Sequence, residues 1–230
     1  MRVIPIQPVK MTKTVAAAVC GGLSQTTKMP CKSSSLPTEA CITGFQMAKL
    51  PGSICSICYA DRGNYAKYAV NIKPAQFARL DSVWQAMEDR AEAELWLSAM
   101  VALIGSDEYF RHHDSGDLQG LAHLELIAEL AMLTPNCKHW LPTREYGIVK
   151  EYIAKHGALP DNLIVRLSAM YFDEPVKVPA SLQGVKNVTV SNVHKVSEPM
   201  GFACKSTQQD GKCLDCRACW SDVAVSYAAH

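Results

Sequence analysis

No stretch of the chain approaches the ~20 consecutive apolar residues that a bilayer-crossing helix needs, so nothing in it reads as a helical membrane span. Charge of one sign is missing too. Lys and Arg number 23 against 22 Asp and Glu, a net charge of +1, so composition gives no bulk attraction to nucleic acid or membrane and any basic groove must be local. No internal repeat or low-complexity segment is present, which excludes repeat architectures. An export signal is lacking: Thr14–Cys20 follows Lys10 and Lys13 as a leader would, but its apolar part runs to about six residues and Gly21-Gly22 breaks it, against the usual ~7–15. These absences lead to the expectation of a cytoplasmic protein with no membrane partner. At 230 residues the chain suffices for one sizeable core, a single domain over 1–230.

Cysteine is abundant: there are ten. In a reducing compartment grouped cysteines point to metal or redox chemistry more often than to disulfides. The tail reads Cys204, eight residues, then Cys213-Leu-Asp-Cys216-Arg-Ala-Cys219-Trp220. Three cysteines at three-residue steps let one compact turn aim three thiolates at a point, and Cys204 supplies a fourth from outside it. That arrangement suits a 4Fe–4S cluster, with four-thiolate zinc as the competitor. The N-terminal group is looser: Cys31, nine residues, Cys41, thirteen residues, then Cys55-Ser-Ile-Cys58. A second four-thiolate centre from Cys31, Cys41, Cys55 and Cys58 uses eight of the ten cysteines. A three-cysteine centre with one metal position open, and Cys31 structural, is the variant. Cys20 and Cys137 read as ordinary buried thiols.

Along the chain, Pro5, Pro8, Pro30, Pro37 and Pro51 punctuate an irregular first 60 residues, with residues 20–66 forming a cysteine-rich N-terminal lobe. From Pro74 to about Ile104 apolar positions recur at helical steps, giving two helices with a break near Asp89 and Pro74 in a first turn. Strands are then expected at Glu108–His112, Lys138–Pro142, Leu163–Leu167 and Val188–Val190, alternating with helices over Leu121–Leu133 and Glu145–Lys155. Residues 74–195 thus read as helices and βα units, and 200–222 as a metal-binding tail. The fold class is α/β, a partial or irregular βα barrel with parallel strands.

In such sheets chemistry collects in the loops at the carboxyl ends of the strands. Polar clusters stand there: His112-His113-Asp114-Ser115-Gly116-Asp117, Thr143-Arg144-Glu145, Ser168-Ala169 and Ser191-Asn192-Val193-His194. Asp114 and Asp117 suit an amine, a ribose or a proton; Ser115-Gly116 lets a backbone approach a ligand; Arg144, with Glu145 beside it, suits a carboxylate or phosphate. Each has a plainer reading. Asp114 can cap a helix starting near Leu118, Thr143 can be an N-cap, and Glu145 a first-turn charge. Adjacent histidines on a strand face opposite ways, so only one of His112 and His113 would point into a site. Arg166 within its strand is either buried and paired or on an exposed edge.

Pro51-Gly52, Cys55-x-x-Cys58-Tyr59-Ala60, Gly63-Asn64-Tyr65, Arg111-His112-His113-Asp114-Ser115-Gly116-Asp117, Pro142-Thr143-Arg144-Glu145 and the cysteine run ending in Trp220 together resemble the "gene product 88" family of bacteriophage proteins. That resemblance implies phage origin and the host cytoplasm, but no activity. A more distant resemblance is to radical S-adenosylmethionine enzymes, which pair a three-cysteine N-terminal cluster with a partial βα barrel. Their C-x-x-x-C-x-x-C signature is absent here, so S-adenosylmethionine does not follow from the cysteines. The expectation is an iron–sulfur enzyme of redox or radical type with one or two 4Fe–4S clusters. Asp114, Asp117, Arg144 and Glu145 would bind a small-molecule or nucleotide substrate or cosubstrate near the N-terminal cluster. The alternative is a non-catalytic protein braced by iron–sulfur or zinc that engages a host protein or nucleic acid.

Overall fold

The computed structural model describes residues 6–229; Pro5, counted above among the N-terminal breakers, lies outside them. Its frame is a curled, half-barrel sheet of seven parallel strands. In chain order these are β1 (Lys32–Ser33), β2 (Tyr109–Arg111), β3 (Lys138–Thr143), β4 (Leu163–Ser168), β5 (Val188–His194), β6 (Phe202–Ala203) and β7 (Val225–Ala228). Side by side they run β1-β2-β3-β4-β5-β7-β6. Arg111 aligns with Trp140, Pro142 with Arg166, and Arg166 with Thr189.

Successive residues of a strand face opposite ways, and here the two faces have different tasks. Phe110, Leu141, Leu163, Val165 and Leu167 point to the helical side, each fully buried. The helices there are α1 (Lys13–Cys20), α4 (Ala69–Glu88), α5 (Arg90–Ile104), α6 (Leu121–Leu133) and α7 (Tyr146–His156); α2 (Thr43–Met47) and α3 (Gly63–Lys67) are short. Burying one such Leu or Phe contributes ~1.5–3 kcal/mol, so this layer carries most of the stability. The concave face instead presents Tyr109, Arg111, Trp140, Arg166 and Thr189. A closed βα barrel fills that space with branched aliphatic residues. Here the chain's own tail occupies it: Trp220 packs edge-on against both Tyr109 and Trp140, ring centroids 5.3 Å apart in each case. Its Nε1–H donates to the Phe110 carbonyl at 2.9 Å.

The break near Asp89 is a cap. The Asp89 carboxylate accepts from the N–H groups of Ala91 and Glu92 at 2.8 and 3.1 Å, opening α5. Three local expectations are corrected. Pro74 lies inside α4, which begins at Ala69 rather than at the proline. The helix after the acidic turn starts at Leu121 as expected, so the plainer reading of Asp114 as the cap of a helix starting near Leu118 does not hold. Finally, β2 ends at Arg111, so strand alternation does not govern the two histidines. His113 takes φ 54°, both rings are buried, and both line one small cavity with His123, Cys20 and Arg79.

No helix among the described residues is long and apolar enough to cross a membrane.

Candidate functional site

Residues 38–61 carry Cys41, Cys55 and Cys58 in short helical turns with little core of their own, so their position depends on tethers to the sheet. Three tethers do this, at the carboxyl ends of β2, β3 and β4. Glu145, just past β3, accepts from both the N–H and the hydroxyl of Thr43, each at 2.7 Å. Past β4, the Met170 carbonyl accepts from Ile54 N–H at 2.9 Å, and Ser53 bridges to Tyr171. Past β2, the Asp114 carbonyl accepts from the Tyr59 hydroxyl. The result brings thiols together. The Cys41 and Cys55 sulfurs lie 3.5 and 3.7 Å from the point where a Cβ on Gly44 would stand, so both face that glycine. Cys58 is near enough for its charge to raise the Cys41 pKa, as Cys55 does.

Burial pushes all three thiols up, and the Arg144 guanidinium opposes it in each case. Arg144 is half-buried and spends Nε on the Ala169 carbonyl at 3.0 Å; among the described residues its two terminal nitrogens make no hydrogen bond. Its neighbours are fully engaged. The Asp117 carboxylate accepts from Thr143 Oγ1 at 2.6 Å and from the N–H groups of Arg144 and Leu118 at 2.8 Å each, which staples the two post-strand loops together. Burial lifts its pKa to about 6 despite those donors. Asp114, also raised by burial, accepts from the hydroxyls of Ser33 and Tyr65. Ser115 donates to the Leu36 carbonyl at 2.9 Å. The close approach at Gly116 (φ +80°) is made by Leu36, whose Cβ would lie 2.5 Å from an added Cβ.

The tail cysteines form a second group on the concave face. Cys213 and Cys219 pack around Met29, Cys31, Trp140 and Trp220. Cys213 N–H donates to the Lys28 carbonyl at 2.9 Å, Cys219 Sγ lies 3.3 Å from the Tyr227 hydroxyl, and Cys204 Sγ donates to Ser206 Oγ at 3.3 Å. Burial raises both Cys213 and Cys219, and Cys204 adds to each; Cys216 also raises Cys213. Cys31 stands with this group rather than with Cys41: burial pushes it up to about 12, and Cys213 is among its neighbouring thiols, with Cys137 also near. Cys20 and Cys137 are buried in the helical core.

Arg166 fixes the tail. Fully buried on β4, it donates to the carbonyls of Val190, Ala218, Cys219, Ser221 and Val223 at 2.8–3.4 Å, with no carboxylate partner among the described residues. Arg111, on the same face, lies between the two groups. It stacks over Trp140 at 4.5 Å, reaches the Tyr59 hydroxyl at 3.3 Å, and partly offsets the burial that raises the Cys31, Cys213 and Cys219 pKa values. Sequence reasoning passed over Thr43, Tyr59 and Arg111 as site residues. Arg166 left a signal, a lone charge inside the apolar run Leu163–Leu167. Among the described residues, no three His, Cys, Asp or Glu side chains stand close enough to hold a metal ion.

Fold and site together define a parallel α/β half-barrel with one thiol group at the carboxyl ends of its strands and another on its concave face. The chain belongs to the gene product 88 family of phage proteins, whose profile matches residues 8–222. No curated protein and no solved structure matches it.

Proposed function

We propose that the chain is an iron–sulfur protein of redox or radical type whose reaction site lies over the carboxyl ends of β3 and β4. The observation that carries this is the Arg144 guanidinium, held by Nε alone with its two terminal nitrogens unspent among the described residues, beside Cys41, Cys55 and Cys58. The donor set fits such a group: three soft thiols and no imidazole, on short turns rather than a rigid element. Buried thiols pushed up in pKa are costly to ionise alone, and a metal centre supplies the missing positive charge.

In this reading Cys41, Cys55 and Cys58 would hold an N-terminal 4Fe–4S cluster. When bound, that cluster supplies one-electron chemistry. Arg144 offers two nitrogens to the carboxylate or phosphate of a small cosubstrate or nucleotide substrate, and S-adenosylmethionine is the first compound to try. Asp117 orients Arg144 through its main-chain N–H, Glu145 and Thr43 anchor the cysteine lobe, and Asp114 with Ser115-Gly116 shapes the adjoining turn. Cys204, Cys213, Cys216 and Cys219 hold a second centre, structural or electron-relaying. The host cytoplasm, which keeps such clusters reduced, is the compartment that suits it.

One observation favours a second reading. Asp114, Asp117 and Glu145 spend their carboxylates on the protein itself, as bracing residues would. A zinc-braced module that engages a host protein or nucleic acid needs no more. S-adenosylmethionine binding by anaerobically purified protein separates the two. Saturable binding lost in Arg144→Ala, with metal content unchanged, supports the enzyme; no binding by iron-loaded wild type favours the brace.

A further inference from the structure

We propose that one internal water molecule sits between His112, His113 and His123 and completes a chain of hydrogen bonds through the buried imidazoles. Neither thiol group takes part. The small cavity between these rings lies where α1, α4, α5 and α6 meet the carboxyl ends of β1 and β2, and it measures about 20 Å³. A water needs roughly 10–15 Å³ and two to four polar partners, so the space admits one water and little else. The three imidazoles supply the partners, and all three are buried. The remaining wall is largely apolar, with Leu36, Val83, Trp96 and Met100.

The hydrogen bonds around the cavity decide which nitrogens are left over. Thr134 spends its one hydroxyl proton on the Leu130 carbonyl at 2.7 Å, so it accepts from His139 Nε2–H at 2.8 Å. His139 Nδ1 is then bare and accepts from His112 Nε2–H at 3.0 Å. Burial keeps these imidazoles uncharged, which leaves His112 with a bare Nδ1. At the other end, Gln119 N–H donates to His123 Nδ1 at 3.3 Å and so puts the His123 proton on Nε2. His113 Nδ1 is buried with no hydrogen-bond partner among the described residues, a costly state for a polar atom beside apolar walls. One water resolves all three: it accepts from His123 Nε2–H and donates to the Nδ1 atoms of His112 and His113. Ring centroids 5.1 Å apart for His113 and His123, and 6.3 Å for His112 and His113, suit nitrogens bridged by a single molecule. The water thereby pegs the turn that continues into Asp114 and Asp117 to the first turn of α6.

The test is a crystal structure of the full-length protein at a resolution that shows ordered water, joined to imidazole nitrogen NMR of the same protein at pH 7. One water-sized density peak is expected in the cavity, about 2.7–3.2 Å from His113 Nδ1 and from a nitrogen of His112, His123 or both. The NMR spectrum is expected to show neutral rings with the proton on Nε2 in His112, His123 and His139. An empty cavity overturns the proposal, as does a peak that misses His113 or touches no second imidazole. A proton on Nδ1 of His112 or His123 overturns it independently, because the water would then have the wrong partners.

Discussion

Arg166 is the residue whose replacement tests the architecture of the concave face. It is fully buried and faces five main-chain carbonyls, four of them in the tail between Ala218 and Val223. Hydrogen bonds from a charged donor contribute ~1.5–3 kcal/mol each, against a desolvation penalty of several kcal/mol for the buried guanidinium. Arg166→Met removes both quantities but leaves the tail carbonyls buried without donors, so a net cost of about 3–5 kcal/mol is expected. The loss is local. The helical layer behind the sheet makes no use of Arg166, whereas the segment with Cys213, Cys216 and Cys219 does. Pulsed thiol labelling read by mass spectrometry should therefore show the tail cysteines reacting roughly two to three and a half orders of magnitude faster, as their local opening becomes cheaper by that amount. Cys20 and Cys137, in the helical core, should label little faster. Arg166→Lys, with one charge but no fork of donors, should fall between. Unchanged labelling of Cys213 and Cys219 in Arg166→Met would refute the reasoning, because it would mean the tail is held by something else.

Acid should weaken the fold through its buried imidazoles. Burial lowers His123 to about 3 and His139 to about 4, and holds His112 and His113 well below 6.5, so the unfolded chain binds protons that the folded chain refuses. Stability is then lost as pH falls below 6.5, by about 2 kcal/mol at pH 5 for each of His123 and His139, with His112 and His113 acting in the same direction, and urea midpoints at pH 7 and pH 5 check this. Glu145→Ala should free the Thr43 tether at a cost of about 2–3 kcal/mol and speed labelling of Cys41, Cys55 and Cys58 roughly 30- to 150-fold, leaving Cys213 unaffected. Gly116→Ala should cost more than the ~1 kcal/mol of an ordinary glycine replacement, since its Cβ would meet Leu36 in a left-handed conformation; thermal melting measures it. Leu141→Ala, in the helical core, should cost about 2–5 kcal/mol by the same melting assay.

The helical layer was legible because it rests on periodicity. Leu121–Leu133 is helical over those residues, the break at Asp89 is where the pattern changes, and the central strands fall within a residue or a few of their expected limits. What escaped is what periodicity cannot carry. β1 and β6 are two residues each, too short for an alternation, and β7 enters between β5 and β6 out of chain order. The helix Lys13–Cys20 was hidden because its apolar stretch was weighed as a leader, not as a helix packed on α5. At the site, the post-strand position of Asp117, Arg144 and Glu145 was readable from the alternation of elements. Their partners were not: Thr43 is 102 residues from Glu145, and nothing local to either residue announces the other. The placing of Cys31 beside Cys213 and Trp140 is likewise tertiary, made by packing and sheet pairing between distant segments.

The most direct measurement of the central claim is the iron and acid-labile sulfide content of the protein purified without oxygen, taken for wild type, Cys55→Ser and Cys216→Ser. Two 4Fe–4S centres predict about eight iron and eight sulfide per chain in a brown wild-type protein. Each variant should lose about half, and the two losses should add when combined. A colourless wild type with zinc and no sulfide, or losses that do not add, would contradict an iron–sulfur protein with two separate centres.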